Sequence, residues 1–222
     1  MRSFRIAIDG PSGAGKSTVA KAVAKKLGFI QVDTGAMYRS IGLYIYNNGV
    51  DPDDAAAVTA RLPEINIDLG FTEDGQRIYL NGEDVSEKIR QNVISLYASK
   101  VSAIPEVRAF LLGLQRKVAS EHNVVMDGRD IGTVILPDAE LKIFQTASNK
   151  ERAKRRYDEL TAKGQKVSLE DIRAEMEQRD YNDSHRAEAP CVPADDAVVI
   201  DNSNITIEEN VEIIALLYEM RK

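Results

Sequence analysis

The sequence predicts an α/β protein: a five-stranded parallel sheet flanked by helices, with a small antiparallel β insert and a helical lid. Three observations lead there. Short apolar runs alternate with helical patterns, as a parallel sheet with helices on both faces requires. A glycine-rich stretch joins the first strand to the first helix. One interval, at about 60–90, breaks the rhythm with period-two alternation.

The strands are expected at Phe4–Asp9, near Phe29–Val32, at Asn123–Asp127, Leu141–Gln145 and Ala197–Ile200. Between the first two, Val19, Ala20, Val23, Ala24 and Leu27 recur with helical spacing, and Gly28 stands where a helix end favours a left-handed residue. The segment Thr206–Met220 repeats the amphipathic pattern and closes the core. In the insert, Ile65–Leu69 and Arg77–Leu80 alternate apolar with polar residues. Glu73-Asp74-Gly75-Gln76 and Asn81-Gly82 supply the turns.

Composition narrows the function. The chain has 222 residues, 43% apolar and 29% charged, enough to bury a core without staples. Its lone cysteine, Cys191, excludes an intrachain disulfide and fits a reducing compartment. Met1 is followed within a few residues by a strand, so neither a secretory leader nor a membrane span is expected, and the cytoplasm is the expected location. The charge of −6 disfavours a polyanion-coating protein. Arginines nevertheless cluster at Arg152, Arg155 and Arg156, and again at Arg179 and Arg186. A basic cleft on an acidic protein suits a small anionic ligand.

Gly10-Pro11-Ser12-Gly13-Ala14-Gly15-Lys16-Ser17 fits the phosphate-loop pattern G-x-x-x-x-G-K-[ST], with a strand before it and a helix from Lys16. Glycines let successive N–H groups turn inward around phosphate oxygens, and the helix N-terminus adds its positive dipole end. Lys16 then reaches the β/γ-phosphates and the Ser17 hydroxyl ligates Mg²⁺. Asp127, ending an apolar run, suits the acidic partner of that metal shell. The loop alone leaves open a GTPase switch, a motor-type ATPase and a small-molecule kinase. The guanine reader N-K-x-D is missing, because Asn149-Lys150-Glu151-Arg152 lacks its aspartate.

Arg152, Arg155 and Arg156 fall on one helical face, and a polar segment, Ala162-Lys163-Gly164-Gln165-Lys166, follows with a glycine suited to a hinge. Two readings stand: a mobile arginine-bearing lid that excludes water and neutralises transition-state charge, or a solvated face paired with Glu151, Asp158 and Glu159. Arg179, Asp183 and Arg186 form a stripe if the helix from Ser168 persists. That stripe is either a salt-bridge ladder or a fork for a ribose diol and a phosphate. Arg129 and Asp130 follow the third strand, and Arg39 follows the second. Ligands of open parallel sheets bind beyond the carboxyl ends of the strands, so these arginines describe a second phosphate site.

These motifs together resemble the bacterial cytidylate kinases, the short type of nucleoside monophosphate kinase. The resemblance spans essentially the whole chain. It rests on the run from Asp9 through Lys16 and Ser17 to Thr18, on Asp33-Thr34-Gly35-Ala36-Met37-Tyr38-Arg39 and on Asp127-Gly128-Arg129-Asp130-Ile131-Gly132-Thr133. Arg179-Asp180, Asp183, Arg186, Ala189-Pro190 and Val192-Pro193-Ala194 extend it. It implies ATP bound by residues 10–18 with Mg²⁺, and CMP or dCMP as acceptor, in a monomer with no nucleic-acid or membrane partner. Ser99, Arg108 and Asp130 would read the cytosine edge, Arg39, Arg129 and Arg186 would hold the acceptor phosphate, and Arg179 and Asp183 would contact the pentose. Thr34 stands at the acceptor site in place of a frequent serine, keeping the hydroxyl. Lys16, Arg129, Arg152, Arg155 and Arg156 would carry transfer. Cys191 stands where leucine is usual and reads as a small buried hydrophobe, while His122 and His185 read as structural or surface residues. The expected division is a core of 1–59, 91–149 and 187–222, an acceptor insert at about 60–90, a lid at about 150–170 and a substrate helix at about 168–186.

Overall fold

The computed structural model of the protein describes residues 3–72, 75–162 and 164–222. Glu73 and Asp74 of the expected turn, and Lys163 of the lid segment, lie outside the described residues. Along the chain run β1 (Arg5–Asp9), α1 (Lys16–Leu27), β2 (Ile30–Asp33), α2 (Thr34–Asn47) and α3 (Ala55–Arg61). Then come β3 (Ile67–Thr72), β4 (Gly75–Leu80), β5 (Glu83–Asp84), α4 (Asn92–Val101) and α5 (Pro105–Glu121). The last elements are β6 (Val124–Asp127), β7 (Leu141–Thr146), α6 (Asn149–Ala162), α7 (Leu169–His185), β8 (Val198–Asp201) and α8 (Ile207–Glu219). The large sheet is five-stranded with order β2-β6-β1-β7-β8. The chain divides into two compact units, one built from 30–123 and the other from 4–29 and 124–222.

In the second unit β1 pairs in parallel with β6 and β7, and β7 with β8. Ile6 and Ile8 of β1, Val125, Leu141 and Ile143 are sealed against Val19, Ala20 and Val23 of α1 and Ile214 of α8. Burial on both faces of these strands explains why their sequences read as continuous apolar runs. At the end of α1, Gly28 is left-handed at φ 69° and the Phe29 N–H returns to the Ala24 carbonyl, as a glycine-ended helix requires. At α8, Thr206 and Glu209 form a reciprocal capping box. A smaller apolar cluster of Ala153, Leu160, Ile172 and Met176 packs α6 on α7.

The first unit holds the antiparallel sheet, ordered β3-β4-β5. Ile67 faces Leu80 and Thr72 faces Gly75, so the expected hairpin forms. Asn81 and Gly82 turn the chain with positive φ, which leads into β5. That third strand was not expected from the sequence: two residues are too few to show a period. The helical layer of this unit is α2 against α4, where a Cβ on Gly42 would stand 2.9 Å from the Ala98 nitrogen. No described helix is long and apolar enough to cross a membrane.

Candidate active site

The phosphate loop has the backbone its glycines allow. Gly10 has φ 142°, and a Cβ there would lie 1.9 Å from the Gln145 carbonyl oxygen, so no other residue fits. Gly13 and Gly15 are also left-handed. The Ala14 carbonyl is held from two sides, by Asn202 Nδ2 at 2.8 Å and by Gln145 Nε2. Gly15 caps α1 with no side-chain acceptor, which leaves the first-turn N–H groups for an anion. Lys16 Nζ donates to the Pro11 carbonyl at 2.6 Å. Burial, then the charge of Arg129, pulls the Lys16 ammonium down to about 7. Ser17 Oγ donates to Asp127 Oδ2 at 2.6 Å, bringing a hydroxyl and a carboxylate together at the start of α1. Hard oxygen donors in this number suit Mg²⁺, which keeps waters and shares its shell with phosphates. Among the described residues no group of three or more His, Cys, Asp or Glu side chains forms a protein-only cage.

Beyond the carboxyl end of β6 the chain enters a short π-helical turn, Ile131–Ile135. Arg129 Nε pairs with Asp183 Oδ2 at 3.0 Å, and Arg186 Nη2 lies 3.4 Å from Asp130 Oδ1. Burial works against the charge of Asp183, but Arg129, Arg179 and Arg186 outweigh it and hold the carboxyl below its ordinary range. Burial likewise opposes Arg129, yet Asp183 keeps its guanidinium above its usual value. The Asp183 and Arg186 bonds reach away from α7 to the β6 turn, so these two members of the stripe are not a ladder along one helix. Arg179 stands half-buried on the same helix.

The α6 arginines divide their work. Arg152 is buried, donating from Nε to the Ala147 carbonyl at 3.0 Å and from Nη1 to the Ser12 carbonyl at 2.8 Å. The same Nη1 lies 2.6 Å from Asp180 Oδ2 on α7. Arg155 grips Asn202, with Nη2 donating to its carbonyl at 2.9 Å. Arg156 pairs with Glu159 at 2.8 Å, a contact that the solvated-face reading anticipates. Arg155, Arg156, Gly13, Gly15, Thr18 and Asn202 line a cleft of about 420 Å³ beside the loop.

In the first unit Asp33 caps α2 by accepting from the Ala36 N–H at 3.0 Å, and its other oxygen pairs with Arg39 at 2.7 Å. Thr34 is buried at the first turn. Ser99 lies in the last turn of α4 and Arg108 in the first turn of α5, and Ser102 joins them. Its hydroxyl donates to the Ser99 carbonyl at 2.8 Å, and its carbonyl accepts from Arg108 at 3.2 Å. The Arg108 guanidinium also lies 5.7 Å over the Tyr38 ring.

Sequence reasoning missed Asp9, Asp180, Gln145 and Asn202. Asp9 and Asp180 stand inside quoted motifs but had no role, and the two amides come from strand ends with no motif at all. Asp9 Oδ1 and Oδ2 accept from the Ile131 and Gly132 N–H groups. Burial pushes its carboxyl up to about 6, although these two bonds pull the other way. Cys191 is buried and free, as a small hydrophobe should be. His122 meets the edge of Phe71 and His185 stacks on Tyr181 at 4.1 Å, which accounts for both as packing residues.

An anion cradle with a dry lysine, and arginines gathered at the strand ends beside it, serve transfer of a phosphoryl group between two anionic molecules. The class so defined is the P-loop kinases. Comparison with known proteins narrows it. The family model for cytidylate kinase matches residues 6–220. A curated cytidylate kinase of Caldicellulosiruptor saccharolyticus is 50% identical over 99% of this chain and 98% of its own length. That of Caldanaerobacter subterraneus subsp. tengcongensis is 51% identical over 95% of this chain and 92% of its own. A crystal structure of an uncharacterized protein from Eubacterium ventriosum shares the fold, with a TM-score of 0.55 at 14% identity, covering 99% of this chain and 100% of that one. The chain belongs to the cytidylate kinase family.

Proposed function

We propose that the protein transfers the terminal phosphoryl group of ATP to the 5′-phosphate of CMP and dCMP, giving ADP and the cytidine diphosphates. The observation that carries this reading is the likeness to curated cytidylate kinases over nearly the whole chain, at about half identity. The chemistry agrees. A phosphate acceptor is already anionic, so no side chain has to remove a proton, and positioning with charge neutralisation supplies the rate.

Residues 10–18 bind the ATP phosphates, with Lys16 at the β/γ-phosphates. Mg²⁺ is held at Ser17 and Asp127, where it screens phosphate charge when bound. Arg129, Arg152, Arg155 and Arg156 face the charge that develops during transfer. Arg39, Arg129 and Arg186 hold the acceptor phosphate, Arg179 and Asp183 the pentose, and Thr34 adds a hydroxyl. Asp130 and Ser99 accept from the exocyclic amine that uracil lacks, while Arg108 donates to the ring carbonyl and nitrogen. A site built to pair that amine rejects UMP, because its own buried polar groups are otherwise left unpaired. We further infer a cytoplasmic monomer acting on free nucleotides and not on nucleic acid, which the charge of −6 and the single reduced cysteine support.

The test is an ADP-release assay with Mg²⁺-ATP against CMP, dCMP, UMP, AMP, GMP and shikimate, beside Asp130→Ala. Turnover on CMP and dCMP, with the preference lost in the variant, is the expected result. Turnover on another acceptor keeps the kinase and removes the cytosine assignment. ATP hydrolysis indifferent to every acceptor removes both.

A further inference from the structure

Asp9 ends β1 and immediately precedes Gly10 of the phosphate loop, yet its bonds run to the acceptor side. Oδ1 accepts from the Ile131 N–H and Oδ2 from the Gly132 N–H, each at 2.7 Å, and all three residues are buried. These amides open the π-helical turn, whose own cap, Asp130, makes no side-chain cap bond. The first N–H groups of any helical turn lack partners inside it, so an outside acceptor has to be supplied. One carboxylate supplies both. The turn is closely packed at Gly132, where a Cβ would stand 3.1 Å from Lys142 Cδ and 3.4 Å from Asp9 Oδ2. The two residues immediately before this gripped backbone are Arg129 and Asp130.

We propose that Asp9 is a positioning residue for acceptor specificity, which fixes Asp130 and Arg129 by holding the Ile131 and Gly132 amides. The inference rests on the cytidylate reading of Asp130 given above. Asp9 works through the backbone it holds. In Asp9→Asn the carboxamide keeps one acceptor oxygen and turns an NH₂ group toward the second amide. Donor then faces donor in a buried place, and the turn has to move.

The experiment is steady-state kinetics on Asp9→Asn, varying CMP, UMP and ATP separately, beside wild type and Asp130→Ala. The KM for CMP should rise about tenfold and the preference for CMP over UMP should fall toward that of Asp130→Ala, while the KM for ATP stays within about twofold. Unchanged CMP kinetics, or an equal rise in both KM values, overturns the inference. If wild type prefers a different acceptor, the cytidylate reading fails, and the same split for that acceptor decides the role of Asp9. Should the variant not fold, hydrogen exchange on wild type decides: the Ile131 and Gly132 amides should be slow in the free protein, and exchange at loop rates overturns the grip.

Discussion

Lys16 and Cys191 show how far burial sets the chemistry of single groups. Lys16 sits in the loop with its ammonium pulled down to about 7, chiefly by burial and then by Arg129, so a bound polyphosphate would restore the stabilisation its charge lacks. Cys191 moves the opposite way. Burial pushes its thiol up to about 11, against the pull of Arg129 and Lys16. At pH 8 the native thiol is then about a thousandth ionised, and Ellman's reagent should react with it about a hundredfold more slowly than with the unfolded chain. The stability consequence has a definite sign. The unfolded thiol, near 9, ionises first, so the native state binds more protons between pH 9 and 11 and stability falls as pH rises there. Urea titrations should show that slope flattened in Cys191→Ala. A native thiol that reacts at the free rate would contradict the burial.

At the scale of elements, two contacts carry unequal risk. The crossing of α2 and α4 depends on Gly42, where a Cβ would stand 2.9 Å from the Ala98 nitrogen and 3.2 Å from the Ile94 carbonyl oxygen. Backbone cannot retreat as a side-chain tip can. Gly42→Ala should therefore cost about 1–3 kcal/mol, seen as a lower urea midpoint with an unchanged m-value. An unaltered midpoint would mean that the helices have room to part. The α6–α7 pair is held by the apolar cluster of Ala153, Leu160, Ile172 and Met176, with Tyr157 and Val167 packed against it, and by the Arg152–Asp180 ion pair. A core of that size is compatible with the lid proposed for this segment.

At the scale of the whole molecule, phosphoryl transfer requires water to be excluded while two nucleotides are bound. We propose that the antiparallel insert at about 60–90, a small three-stranded sheet, and the lid at about 150–170, which holds α6 and the start of α7, do that work. Amide exchange in both stretches should slow when a non-hydrolysable ATP analogue and CMP are present together, and less with either alone. Equal exchange with and without ligands would leave the hinge picture without support. Slowing in the lid alone would restrict the moving part to about 150–170.

The sequence by itself determined whatever is local and periodic. Apolar runs located the strands of the large sheet within a residue or two, the eight residues from Gly10 to Ser17 identified the phosphate loop, and helical spacing put three arginines on one face. The run Asp127–Thr133 is specific enough to point to the family by itself. Tertiary structure alone decided what those residues touch. Spacing left Arg152, Arg155 and Arg156 equivalent, whereas packing sent the first to Ser12 and Asp180, the second to Asn202 and the third to Glu159. Nor could any local pattern show that Asp9 holds amides 122 and 123 residues away, or that amides from Gln145 and Asn202 meet on one carbonyl. Periodicity records which face of an element is buried. Hydrogen-bond partners distant in the chain leave no period, because only the folded backbone brings them within reach.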